Sequence, residues 1–320
     1  MATTGFVSKV FMAPMAGITD QAFRTIVHEC GTGNLISEMV AVNAIQYKNP
    51  KSYAIADVSK EPYPVTVQLV GYDPKMFIDA AKLVADLGAS AIDINMGCPV
   101  KKIVNNNSGS ALMKDLPRAA AIIEATVKAT PLKVSVKFRK GWDNTRINAV
   151  EFAQMCEKSG ASHITIHGRT RAQGYSGEAD WQIIKEVKQA VKIPVIGNGD
   201  IDSPQTAQKR LSESGVDGIM IGRALLGNPW LLNNIHQYLQ NGSTPFQPTE
   251  TDIKQMLLHH IELLVQYYGE KSGIAISRKH ISWYVKGLYE AKSFREQYTH
   301  LNTLSEINDL IETYFARIKQ

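Results

Sequence analysis

Cysteine is scarce in this chain of 320 residues: Cys30, Cys98 and Cys156 are its only three. An odd count at wide spacing argues against a disulfide framework and fits a reducing compartment. The spacing also lacks any metal-ligand pattern, so no zinc or iron–sulfur site is expected. No apolar run approaches membrane-spanning length. Residues 1–10 hold neither a basic region nor an apolar signal core, so the expectation is a cytoplasmic protein. No Gly-x-Gly-x-x-Gly follows the first apolar run, which argues against an open dinucleotide-binding sheet. Neither sign of charge dominates: 35 Lys and Arg stand against 30 Asp and Glu, a net +5. That permits a nucleic-acid partner without demanding one.

What is present is alternation. Short apolar, β-rich runs recur at 10–14, 34–38, 64–70, 91–96, 133–139, 162–167, 193–198 and 218–221, with helical patterns between them. Eight strand–helix units in roughly 240 residues are the count and size of a (β/α)8 barrel, an α/β fold. Pro245 and Pro248 then mark a linker, after which only helical spacing follows. The expected division is a barrel over 1–241 and a small all-helical domain over 242–320.

The most informative stretch is Ser90–Pro99. Asp93 and Asn95 share one face of a buried strand, opposite Ile92, Ile94 and Met96, and a buried polar face needs a reason. Gly97, Cys98 and Pro99 follow, placing a thiol at the strand's C-terminal lip. A lone cysteine is usually a small buried hydrophobe, so the thiol by itself decides nothing. The same parity gathers Gln68, then Ser135, Lys137 and Arg139, then His163, Thr165 and His167 on polar strand faces. Barrel active sites sit at the C-terminal strand ends, so Gln68, Asn95, Lys137 and His167 are candidates. The bland alternative is that Lys137 and His167 cap the barrel or pair with Asp93. Strands seven and eight end in Gly197-Asn198-Gly199-Asp200 and Ile221-Gly222-Arg223. Glycine-exposed N–H groups there, with Arg223, suit the phosphate of a cofactor.

In the helical tail, 271–295 carries six cations against the single acid Glu290. Lys279, Trp283 and Lys286 fall at i, i+4 and i+7, one helix face. Cations interleaved with an aromatic suit RNA; equally, Trp283 and Tyr284 could pack in a helical core.

The run Asp93-Ile94-Asn95-Met96-Gly97-Cys98-Pro99-Val100-Lys101-Lys102, followed by Gly109-Ser110, resembles the signature of the tRNA-dihydrouridine synthases. The resemblance extends over essentially the whole chain and is most similar to the bacterial type at Met39-Val40 and in the Trp142 loop. It implies FMN as cofactor, NADPH as electron donor and tRNA as partner, with neither membrane nor metal and the chain acting as a monomer. It further implies that Pro14, Met15 and Ala16 lie against the flavin, that Gln68 and Lys137 bond its ring edge, and that His167 flanks it. Asn198, Gly199, Asp200, Gly222 and Arg223 would hold the phosphate. Cys98 would be the proton donor, Asn95 and Arg139 would face the uracil, and Lys279, Trp283 and Lys286 would meet RNA. A small-molecule flavin barrel of the dihydroorotate-dehydrogenase type would share the loops but has no use for 271–295.

Overall fold

The computed structural model describes residues 6–318; residues 1–5, half of the stretch read for an export signal, lie outside the described residues. Eight parallel strands form the sheet: β1 (Val10–Met12), β2 (Leu35–Ala41), β3 (Val65–Val70), β4 (Ala91–Met96), β5 (Lys133–Arg139), β6 (His163–His167), β7 (Val195–Asn198) and β8 (Gly218–Ile221). Each pairs with its neighbour in sequence, and β8 pairs back onto β1. A single parallel bridge from Phe11 to Asn34, with Met12 N–H on Asn34 O at 2.9 Å, closes β1 against β2. The result is the (β/α)8 barrel expected from the repeat.

Strand parity sorts the side chains. Ile92, Ile94, Met96, Val134, Val136, Phe138, Ile164 and Ile166 face outward into the main core beneath the surrounding helices. Inside, Phe11, Ile36, Ile196 and Met220 pack together with Phe6. Phe6 packs edge-on against Phe11 and His163, with ring centroids 5.1 and 4.9 Å away. His163 therefore lies at the bottom of the barrel, where burial pushes its pKa down to about 4. The polar residues further along the strands reach the open, C-terminal end.

Helices begin where the sequence supplies caps. Asp20, Asp73, Asp115, Asp180 and Ser203 each accept a first-turn N–H, and proline stands in the first turn after Asp73, Asp115 and Ser203. These devices satisfy donors that a helix leaves orphaned. Among the additions to the simple repeat are a small hairpin at Gly141–Asp143 and Arg146–Ile147, and a short helical turn at Gly109–Lys114.

After residues 242–249 come four helices, Glu250–Tyr268, Glu270–Tyr284, Ala291–Thr299 and Leu304–Ile318. Their own core holds Leu257, Ile261, Ile281, Tyr284, Phe294, Tyr298, Ile311, Tyr314 and Phe315. The helix starts behave as the sequence suggests: Thr249 and Asp252 form a capping box, and Thr303 and Glu306 exchange bonds of 3.1 and 3.3 Å. This unit rests on the barrel's first helix, Gln21–Glu29, through Ala22, Ile26, Leu263 and Leu264.

Candidate active site

The barrel mouth encloses a cavity of about 750 Å³, within the range of small-molecule sites. Fourteen of the expected residues line it: Pro14, Met15, Ala16, Gln68, Asn95, Cys98, Lys137, Arg139, His167, Asn198, Gly199, Asp200, Gly222 and Arg223. They come from every strand end except that of β2, from which Met39 contributes instead. Lys279, Trp283 and Lys286 do not line it.

Below the cavity a buried polar chain crosses three strands. Gln68 Nε2 donates to Asp93 Oδ2 at 2.6 Å, and Ser135 Oγ donates to Asp93 Oδ1 at 2.6 Å. Asn95 Nδ2 donates to Gln68 Oε1 at 2.8 Å. Its own Oδ1 accepts from Gly97 N–H and Cys98 N–H at 3.1 and 2.9 Å. The register explains the reach: Gln68 sits opposite Asp93, and Asn95 opposite Lys137. Asp93 thus serves Gln68 and Ser135 rather than an ion pair with Lys137.

The backbone of Cys98 is held from both sides. Ser110 donates to Cys98 O through its N–H (3.1 Å) and its Oγ (2.9 Å). Gly109 has φ +60, and a Cβ there would stand 2.9 Å from Cys98 O, so glycine is what allows this approach. Burial pushes the Cys98 thiol up, against smaller opposing effects from the Val100 N–H and Arg139. At neutral pH the group is a thiol, an acid rather than a nucleophile.

Lys137 Nζ donates to Asn198 Oδ1 at 3.0 Å, its only hydrogen bond among the described residues. Burial, with Arg139 nearby, pushes its pKa down to about 8. An ammonium with two N–H bonds unspent and a depressed pKa is a site for an anion or carbonyl. Arg139 is spent on backbone: Nε on Gly97 O at 2.8 Å, Nη1 on Thr170 O and Gly174 O at 2.9 Å each. It fixes the Cys98 turn and leaves its charge beside the sulfur. His167 Nε2 accepts from Arg169 Nη1 at 3.4 Å, and burial drives its pKa far below the ordinary value. The ring is therefore neutral, with its proton on Nδ1.

At the ends of β7 and β8, the N–H groups of Gly199, Asp200, Gly222 and Arg223 find no acceptor among the described residues. Gly199 has φ +134, with His167 carbon 3.4 Å from where a Cβ would stand. The Asp200 side chain is engaged by neighbouring loops. Its carboxylate takes Arg169 Nη2 at 2.8 and 2.7 Å and Ala179 N–H at 2.7 Å, with Arg223 at 3.4 Å. Partial burial opposes its charge, but Arg169 and Ala179 hold its pKa below the usual range. A phosphate can receive only its N–H, while its carboxylate orients two guanidiniums. These turns, the unspent lysine and the amide edges fit a flavin mononucleotide: donors for a phosphate on one side, polar ring-edge partners on the other.

A family model described as dihydrouridine synthase (Dus) matches residues 11–319. The chain belongs to the dihydrouridine synthase family. A Rickettsia bellii protein named "Probable tRNA-dihydrouridine synthase" is 43% identical over 312 residues, covering 97% of this chain and 96% of that one. tRNA-dihydrouridine synthase B of Pseudomonas aeruginosa is 41% identical over 310 residues, covering 97% and 93%. Among solved structures, histamine dehydrogenase from Rhizobium sp. 4-9 has a TM-score of 0.56 at 13% identity, over 80% of this chain and 49% of its own, a likeness of fold alone.

Against the family motifs, the tail is where the expected placement changes. The helix carrying Lys279 ends at Tyr284, so Lys286 lies past it and does not share a helical face with Lys279 and Trp283. Tyr284 is buried, as the packing alternative held. The half-buried Trp283 sets its ring against His280 at 5.3 Å, and its backbone presses on Gly227. Lys279 turns to the barrel: its Nζ is 3.5 Å from where a Cβ on Gly17 would stand. Sequence reasoning also passed over Arg169 and Tyr175. Arg169 stands two residues past His167 and is not among the expected site residues, and nothing marks Tyr175, whose ring lies 5.7 Å from Arg139 Cζ and 4.8 Å from Arg223 Cζ.

Proposed function

We propose that this dihydrouridine synthase reduces uridines in tRNA to 5,6-dihydrouridine, in the cytoplasm and as a monomer, with FMN as resident cofactor and NADPH as electron source. The observation that carries the reading is one cavity holding a protonated thiol (Cys98), an unspent ammonium (Lys137) and linked amides (Gln68, Asn95).

Pro14, Met15, Ala16, Gln68, Lys137 and His167 would hold the flavin ring. Asn198 would keep Lys137 aimed at it, and Gly199, Asp200, Gly222 and Arg223 would take the phosphate. Bound and reduced, FMN supplies the hydride that adds to C6 of the uracil. The electron pair displaced to C5 is taken up by the Cys98 proton: its S–H bond breaks, a C–H bond forms, and solvent reprotonates the thiolate. Arg139, fixed by three carbonyls, leaves a positive charge beside that sulfur. Lys137 offsets negative charge growing in the enclosed mouth. One Asn95 Nδ2 hydrogen remains free for a uracil carbonyl. A uracil stacked in folded RNA cannot reach this depth, so the base must be turned out.

The barrel, residues 1–241, carries the chemistry and the helical unit, 242–320, holds the RNA, Lys279, Trp283 and Lys286 included. Mass mapping of tRNA from cells lacking the protein tests the whole reading. Dihydrouridine should vanish from defined positions and return with the wild-type protein but not with Cys98→Ala; an unchanged map would overturn it.

A further inference from the structure

Some cations at the barrel mouth are neutralised by a carboxylate. Lys140 meets Asp180 at 3.1 Å, and Arg169 meets Asp200 at 2.7 Å. The rim on the Cys98 side is built otherwise. Lys114 Nζ lies 3.9 Å from the centre of the Trp142 ring, and Arg171 Cζ lies 4.5 Å from the same ring. Arg146 Nη2 donates to Lys114 O at 3.0 Å, and Arg118 Cζ lies 4.7 Å from the Tyr72 ring. Each cation is oriented by a neutral partner, a π face or a carbonyl.

An aromatic face attracts and orients a cation without cancelling its charge. With Lys101 and Lys102, exposed on the loop after Cys98, the rim gathers six cations with no salt-bridge partner among the described residues. The carboxylates nearest in sequence are tied to backbone N–H groups, and Asp143 also shares its field with Arg146. Asp115 accepts Arg118 N–H at 3.1 Å, and Asp143 accepts Thr145 and Arg146 N–H at 2.9 and 3.1 Å.

The rim is tied to the chemistry. Lys114 ends the turn whose Ser110 clamps Cys98 O. The hairpin bearing Trp142 receives Arg171 N–H on Gly141 O and Ala172 N–H on Trp142 O, both at 2.9 Å. Trp142 thus stands between the Cys98 loop and the loop that carries Tyr175.

We infer that this rim is a second nucleic-acid surface, taking the phosphodiester backbone of RNA on the Cys98 side of the mouth, apart from the C-terminal helices. It rests on the reading of tRNA as substrate. Unneutralised, pre-oriented cations are what phosphate recognition requires. Six cations supplied by four separate segments of the chain suit a strand of phosphates better than the compact phosphates of a dinucleotide.

The test uses the flavin-loaded protein, an unmodified tRNA transcript and two double variants, Lys114→Gln with Arg171→Gln, and Lys101→Gln with Lys102→Gln. Each should weaken tRNA binding about tenfold at moderate salt and lower the slope of log K against log salt by roughly 0.7–0.9 per lost contact. The flavin spectrum and NADPH reduction of the flavin without tRNA should match wild type. Wild-type affinity and slope in both variants would overturn the inference. So would slower NADPH reduction with tRNA binding intact, since the rim would then serve the dinucleotide. If the wild type itself neither binds tRNA nor forms dihydrouridine, the proposed function fails and this surface falls with it. Active wild type with insensitive variants removes the surface alone.

Discussion

Asn95 Oδ1 accepts the N–H of Cys98 at 2.9 Å, so an asparagine on β4 sets the turn that presents the thiol. Its other end donates to Gln68 Oε1 at 2.8 Å. The Cys98 turn and the Gln68 amide are thereby parts of one hydrogen-bonded unit, rooted in Asp93. Such a network specifies one arrangement when every member is satisfied, and makes removal of any member costly.

Asn95→Ala should therefore do more than remove a contact to the base. It strands the N–H groups of Gly97 and Cys98 and leaves Gln68 Oε1 without its donor. Each buried group left unmet costs about 1–3 kcal/mol. Dihydrouridine formation should fall further than tRNA affinity, and the melting temperature should drop. A melting curve and tRNA affinity both at wild-type level would show that the network does not hold this turn.

Cys98→Ala removes the proton without emptying the cavity. Turnover should fall by about 10²–10⁴, the usual worth of a positioned general acid, while flavin content and tRNA binding stay level. Because burial raises the thiol pKa, the wild-type rate should hold through neutral pH and decline only as pH rises past the ordinary cysteine range. Single-turnover rates against pH measure this; an acid limb in place of an alkaline one would contradict the role.

The barrel was legible from the chain because its signals are local and repeated. Strand parity alone sent Ile92, Ile94 and Met96 outward and Asp93 and Asn95 inward, where the structure has them. It could not tell which polar side chains bond one another. The pairing of Lys137 with Asn198 spans two strands that are not neighbours, and the Asp200–Arg169 clamp joins separate loops. The tail misled for a related reason. Spacing of i, i+4 and i+7 assumes an unbroken helix, yet this one ends at Tyr284, with Gly287 at φ +89 shortly beyond. The cations on the Trp142 rim come from loops far apart in sequence, so no window of the chain displays them as a patch.

Asp20 provides a pH test. It is 5% exposed, caps the first barrel helix through Phe23 N–H at 2.9 Å, and burial raises its pKa to about 6, Lys279 and Arg24 pulling the other way. Between pH 4 and 6 the folded state holds a proton that the unfolded state has released. Stability therefore falls as pH rises through that window, and the loss persists above it. Asp20→Asn keeps the capping oxygen and removes the charge. It should match wild type near pH 4 and exceed it at pH 7–8, by about 3 kcal/mol at most. Denaturant midpoints at the two pH values decide it. A variant less stable than wild type at pH 8 would mean that the attraction of Lys279 and Arg24 outweighs burial.

The seam between barrel and helical unit can be tested at Gly227. Its φ is +73, and a Cβ there would stand 2.5 Å from the carbonyl carbon and oxygen of Trp283. Those are backbone atoms, which cannot swing aside as a side-chain tip can. Gly227→Ala thus meets both a strained conformation and a collision, and it should cost on the order of 1–3 kcal/mol. The strain falls on the contact that seats the helix carrying Lys279, not on the cavity floor, where Gln68, Asn95 and Lys137 keep their bonds. Flavin content should stay near wild type while tRNA affinity drops. Retention of full tRNA affinity and an unchanged melting temperature would show that the helical unit does not depend on this contact, and that its grip on RNA is independent of how it sits on the barrel.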